Sequence, residues 1–244
     1  MIYEAHLAHA DRSRSNLSDV DWQHIDRDLA RSQPTLLAKL RDAAIIESYH
    51  PVHIPQILAL VWDDVDATAI LSIELFEGLR HFYGLKKYLD ILGYEPRITE
   101  VEIATRRERA LKQRPTRPDA VTALVNFMGS EHFAGYFFAR LAQETRETVL
   151  SDLLQRFAQD EFRHANGVTD VLKKRLAMGR DEQTDVLAAA ARFSHYGEDV
   201  VDTVPTSADR DLQAVLAFSL RIEDVCGRSL VSQLAHEIEK ARAT

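Results

Sequence analysis

Four stretches of this sequence place acidic and imidazole side chains where a helix would normally put leucines. Leu150, Leu153, Leu154 and Phe157, then Val168 and Val171, recur at helical spacing, and Glu161 and His164 fall on the same stripe. Glu131 interrupts Leu124, Met128, Ala134, Phe138 and Leu141 in the same way. Glu77 and His81 interrupt Ile70, Ile73, Leu85 and Tyr88, with Glu74 and Gly78 at the edge of that stripe. Glu47 stands in the line of Leu37, Leu40, Ala44, Ile54 and Leu58, with His50 beside it. A buried ionised carboxylate is costly unless it is paired, protonated or bound to a metal, so four inward faces that each carry one predict a shared cation. Carboxylate oxygens with a few imidazoles suit hard, redox-active ions such as iron or manganese. A structural zinc site would draw on cysteines, and the chain has only Cys226.

The elements that position these residues are punctuated by proline, glycine and capping residues. Ser18 is a candidate N-cap for a helix at 19–32, and 35–61 reads as a helix kinked at Pro51 and Pro55. A helix at 67–92 stops at Gly93, and Thr99 with Glu102 makes a capping box for about 100–112. Pro115 and Pro118 separate that helix from 119–145, which is followed by 148–177, closing at Met178-Gly179. Beyond lie a helix near 182–196, a loop around Pro205 and a last helix near 208–241. The expected class is all-α: one domain over 1–244, a ferritin-like four-helix bundle with additional N- and C-terminal helices. Its metal-binding core spans about 35–178 and its C-terminal helices about 182–241. Carboxylates from four helices, with Glu-x-x-His on one helix face, are the arrangement that holds two iron or manganese ions in such bundles.

Composition narrows the class of partner. The 244 residues carry 30 Lys and Arg against 38 Asp and Glu, and this net charge of −8 argues against nucleic acid and anionic membranes. No apolar run approaches the ~20 residues of a membrane span. A single cysteine and a polar N-terminus without an apolar signal core predict a reduced, cytoplasmic protein. On this acidic background Arg106, Arg107, Arg109, Lys112, Arg114 and Arg117 form a basic cluster opposed only by Glu108, suited to docking an acidic carrier protein or a ferredoxin.

The segment Asp160-Glu161-Phe162-Arg163-His164 resembles the Asp-Glu-x-Arg-His segment of the soluble acyl-acyl-carrier-protein desaturases, a diiron ferritin-like family. Glu77-Gly78-Leu79-Arg80-His81, followed by Lys86-Lys87-Tyr88-Leu89, is similar to that family's second ligand helix. Glu131 precedes Glu161 by 30 residues beside Phe133, Tyr136, Phe137 and Phe138, and Glu47 stands four before Pro51, both as in the family. The resemblance covers roughly 40–178. It implies ligands Glu47, His81, Glu131, Glu161 and His164, two iron ions (Fe2+/Fe3+), O2, and an acyl or other carrier-protein-bound substrate. It also implies a ferredoxin-type electron donor and a homodimer. Gly78 departs from the pattern, because the family has a ligating glutamate there; helical geometry offers Glu77 or Glu74 as a substitute, and His50 is a further ligand candidate in reserve. Without either, the resemblance implies weak, substrate-dependent or mononuclear binding. Ala134 departs too, standing where plant members carry a hydroxyl residue. The alternatives are a diiron hydroxylase or N-oxygenase of a biosynthetic intermediate, or a bundle that has lost catalysis and acts as an interaction protein. The N-oxygenase family adds a histidine one turn before the last glutamate, where this chain has Phe157.

Overall fold

A computed structural model describes residues 1–113, 118–202, 204 and 211–227. Its helices are α1 (Ile2–Ser13), α2 (Arg27–Arg31), α3 (Pro34–Glu47), α4 (His50–Leu58) and α5 (Val65–Leu92). They continue as α6 (Glu100–Gln113), α7 (Ala120–Glu144), α8 (Thr148–Ala177), α9 (Gln183–Ala191) and α10 (Leu212–Cys226). Among the described residues there is no strand, and none of these helices is long and apolar enough to cross a membrane. The architecture is all-α, a four-helix bundle with additional N- and C-terminal helices.

The bundle consists of α3 and α4 as one broken rod, then α5, α7 and α8, with α7 and α8 forming the most extensive pair. Side-chain caps fix where its rods begin. Asp64 accepts from the Asp66 and Ala67 amides at the start of α5, and Asp119 accepts from the Thr122 amide at 2.7 Å at the start of α7. Glu147 takes the Val149 and Leu150 amides at the start of α8, and also the Tyr88 hydroxyl at 3.1 Å and the Asp26 amide. It is a buried carboxylate fully occupied by donors, and so purely structural. Gly93 and Gly179, at φ 64° and 65°, close α5 and α8 in the left-handed conformation that glycine adopts without strain.

The first rod breaks ahead of Pro51 and not at Pro55, which lies inside α4. Pro51 has no N–H, so the ladder cannot continue through it; α3 ends at Glu47 and α4 restarts at His50. The break places Glu47 at the last helical position of α3 and leaves its carbonyl free of the bond that residue 51 would have supplied.

Other segments differ from expectation. The helix expected at 19–32 is two short 3-10 turns followed by the five residues of α2, and Asp26, not Ser18, caps α2 through the Leu29 amide at 3.0 Å. The side chains of Asn16 and Asp26 cap local turns in place of a continuous ladder. The polar N-terminus, for which the sequence predicts no helix, forms α1, which buries only His6 and Ala10 and so leaves little apolar periodicity to read. The helix expected at 182–196 ends at Ala191, and the chain then turns inward to bury His195 and Tyr196. The last helix closes at Gly227; the rest of its expected span, to 241, lies outside the described residues, as do Arg114, Pro115 and Arg117.

Candidate metal centre

Five of the side chains singled out by their stripes converge inside the bundle: Glu47 from the end of α3, His81 from α5, Glu131 from α7, and Glu161 and His164 from α8, none more than 2% exposed. They form two groups that could each hold a metal ion, Glu47/His81/Glu161 and Glu131/Glu161/His164, with the ligand atoms of each group within 4.8 Å of one another. Glu161 belongs to both. Its Oε1 lies 2.7 Å from His81 Nδ1, and its Oε2 lies 3.2 Å from His164 Nδ1. Glu131 Oε2 is 3.0 Å from His164 Nδ1, and Glu47 Oε2 is 3.8 Å from His81 Nδ1. Donors about 2.1 Å from a common ion stand roughly 3–4 Å apart, so these separations suit shared ions.

Both imidazoles present Nδ1 to the cluster because Nε2 is held from behind. His81 Nε2 meets Asp160 Oδ2 at 3.2 Å, and His164 Nε2 meets Glu77 Oε2 at 2.7 Å. The Arg163 guanidinium ties these two carboxylates together, donating to Glu77 Oε2 at 2.7 Å and to Asp160 Oδ1 at 2.5 Å, and the Ser15 amide adds a donor to Asp160 Oδ2 at 3.0 Å. A carboxylate behind each metal-facing imidazole fixes its tautomer and orientation. Burial pushes Glu77 up, but His164 and Arg163 outweigh it and hold its carboxyl at about 2. The same balance, with His81 as the main opposing partner, holds Asp160 well below the usual carboxylate range.

The inner residues show the opposite strain. Burial, then the charges of Glu131 and Glu47, pushes Glu161 up. His81 and His164 are driven well above the ordinary imidazole value, because the surrounding carboxylates overcome burial. Glu47 Oε2, Glu161 Oε1 and His81 Nδ1 are buried and make no hydrogen bond among the described residues. This concentration of buried, converging donor atoms fits a cation, since an apolar interior penalises such groups when they are left unsatisfied.

The two carboxylates offered as further ligands on α5, Glu77 and Glu74, separate. Glu77 belongs to neither group; its carboxylate lies behind His164, engaged by Arg163. Glu74 is fully buried, with neither oxygen hydrogen-bonded among the described residues, and burial raises it well above an ordinary carboxyl. His50 packs against Gly78 and reaches Glu131 Oε1 at 3.6 Å. Tyr196, absent from the sequence reading, donates its hydroxyl toward Glu131 Oε1 at 3.2 Å from a 3-10 turn that follows α9. It lies on no helical stripe; its only signal is an aromatic residue where a helix stops.

Among the described residues of the basic cluster, three of four are paired with carboxylates. Arg106 pairs with Glu102, Arg109 with Asp202 and Lys112 with Glu108. Arg107 donates to the Ser48 carbonyl and has no carboxylate partner among the described residues. Compared with models of known protein families and with individually curated proteins, the sequence matches none.

Proposed function

We propose that this chain is an O2-dependent diiron oxidoreductase that oxidises a C–H bond of an acyl or other carrier-protein-bound substrate. The observation that carries the reading is Glu161, one buried carboxylate with an oxygen turned toward each of two Glu/His groups. Two iron ions bound by Glu47, His81, Glu131, Glu161 and His164 would supply the reduction of O2 and the oxidising power that an unactivated C–H bond requires, with manganese as the alternative metal. The protein's own part is positioning and exclusion of water. Asp160 and Glu77 hold the imidazole Nε2 atoms, and Arg163 braces both carboxylates. Phe157, its ring 4.3 Å from that of His81, and Phe138 behind it keep that side of the centre dry.

A groove of about 540 Å³ between α4, α5 and α6 supports an amphipathic substrate. Pro51, Leu79, Phe82 and Ile103 give it apolar walls, and its charged lining is Arg107, Glu100 and Lys86, the last paired with Asp90. Its lining residues Pro51, Leu79 and Phe82 are the chain neighbours of His50, Gly78 and His81. Arg107, half-buried and without a carboxylate of its own, suits an anionic group on the substrate or its carrier. Electrons are assigned to a ferredoxin-type donor.

A second reading, a bundle that has lost catalysis and serves as an interaction protein, is favoured by Gly78, which removes one carboxylate from α5. Anaerobic loading with Fe(II) decides between the two. The enzyme reading expects two irons per chain, lost in Glu161→Ala and Glu131→Ala, with O2 consumed when the reduced protein is exposed to it. Iron at background level in the unmodified protein overturns it.

A further inference from the structure

Gly78 precedes His81 by three residues on α5, as Glu161 precedes His164 on α8. A Cβ on Gly78 would come under 3.0 Å from three ring atoms of His50, so the His50 imidazole stands where a side chain at position 78 would begin. We propose that His50 is the sixth protein ligand of the centre, an imidazole from α4 in place of the carboxylate that α5 lacks. This rests on the dinuclear reading above.

The backbone fixes which nitrogen is available. Pro51 cannot donate to the Glu47 carbonyl, and His50 Nδ1 takes up that carbonyl at 3.0 Å and also lies 3.3 Å from Glu47 Oε2. Both are acceptors, so Nδ1 carries the proton and the neutral ring keeps its lone pair on Nε2. Nε2 faces the Tyr196 hydroxyl at 3.2 Å and Glu131 Oε1 at 3.6 Å, and the same hydroxyl lies 3.2 Å from Glu131 Oε1. One hydroxyl proton cannot satisfy both acceptors. A lone pair and a carboxylate oxygen facing each other inside a protein require a cation between them. Their 3.6 Å separation fits two donors about 2.1 Å from one ion, like the 3.0 Å and 3.2 Å separations around His164 Nδ1.

The competing occupant of that gap is a proton, and the competing ligand is Glu74, the unbonded carboxylate one turn before Gly78. Metal loading of the full chain separates them. Apoprotein titrated anaerobically with Co(II), read by metal analysis and by the visible absorption of the bound ion, is expected to take two ions. His50→Gly should lose the second, with affinity lowered by about 100-fold or more, and millimolar imidazole should restore it by entering the vacated space. Gly78→Glu/His50→Gly should restore two ions without imidazole, and it decides the matter if the single variant fails to fold. Two ions at unchanged affinity in His50→Gly would overturn the proposal. So would a loss that neither imidazole nor the double variant reverses, or loss of the second ion in Glu74→Gln but not in His50→Gly. No Co(II) binding by the unmodified protein, or two ions retained by Glu161→Ala, overturns the dinuclear centre and with it the ligand role of His50, whereas the outcomes above overturn that role alone.

Discussion

Replacing Glu77 with glutamine separates a metal ligand from a residue that positions one. The Glu77 carboxylate accepts from Arg163 at 2.7 Å and contacts His164 Nε2 at 2.7 Å, and it is buried. Glutamine keeps the shape and one acceptor oxygen but removes the charge that balances Arg163 and polarises His164. Removing one partner from a buried ion pair costs about 3–5 kcal/mol. Here Asp160 still holds the guanidinium, at 2.5 Å, and the amide oxygen remains, so the expected loss in the apoprotein is smaller, about 1–3 kcal/mol. It is read as a lowered urea midpoint with an unchanged slope. Losing a carboxylate behind a ligating imidazole weakens metal binding by about 10–100-fold, or roughly 1.4–2.7 kcal/mol, without removing a ligand. Glu77→Gln is therefore expected to bind the same number of ions as the unmodified protein, with the affinity of the ion on His164 reduced by that factor. A drop in the number of ions would make Glu77 a ligand and refute its placement behind His164. Unchanged affinity would refute the coupling through Nε2.

Three further outcomes follow from residues away from the inner ligands. Glu147→Ala removes the cap of α8 and strands the buried Tyr88 hydroxyl, so stability should fall by about 2–4 kcal/mol in a denaturant titration. Lys174 donates to Asp64 at 2.7 Å and to Asp66 at 2.8 Å; burial raises both carboxyls, but its ammonium outweighs this and lowers them. Lowered native values mean that the stabilisation is complete above the ordinary aspartate range near ~4 and fades as pH falls through them, so Lys174→Met should lose about 1–3 kcal/mol at pH 7 and much less at pH 3. Urea midpoints at the two pH values check this, and an equal loss at both would refute the charge origin. Arg107→Ala should raise KM for an acyl-carrier substrate, by about 10-fold for one charged contact, and leave metal content unchanged.

What the sequence made legible follows from period and punctuation. The stripes of α5, α7 and α8 are long enough that a single Glu or His stands out against them, and Pro51, Gly93 and Gly179 mark ends that local chemistry alone enforces. What stayed hidden depends on tertiary placement. Glu77 lies on the same stripe as His81, yet whether its carboxylate turns inward or toward α8 is decided by Arg163, a residue on another helix. Tyr196 and α1 were out of reach for the opposite reason: a short turn and a helix with two buried residues carry too little periodicity to announce what they touch. The basic run on α6 looked continuous in the sequence, but folding brings Asp202 onto Arg109, while Glu102 pairs with Arg106 one turn away.

The hidden residues also explain how both histidines are held with a glycine at position 78. In α5 and α8 an acidic residue stands four before a histidine, Glu77 before His81 and Asp160 before His164, and each serves the histidine of the other helix. The two helices are thus cross-braced behind the centre, and Arg163 closes the brace by bonding both acids. Arg80, which precedes His81 as Arg163 precedes His164, donates instead to the Ser15 carbonyl, and Ser15 in turn donates its amide to Asp160. The symmetry of the ligand helices is therefore broken at Gly78, where His50 packs in, and at Arg80, which anchors the N-terminal segment, while both imidazoles remain held. Both histidine orientations are set without any side chain at position 78. The orientation of His81 depends on Asp160 and that of His164 on Glu77, so substitutions at these two acids should release the imidazoles, which no side chain at position 78 holds.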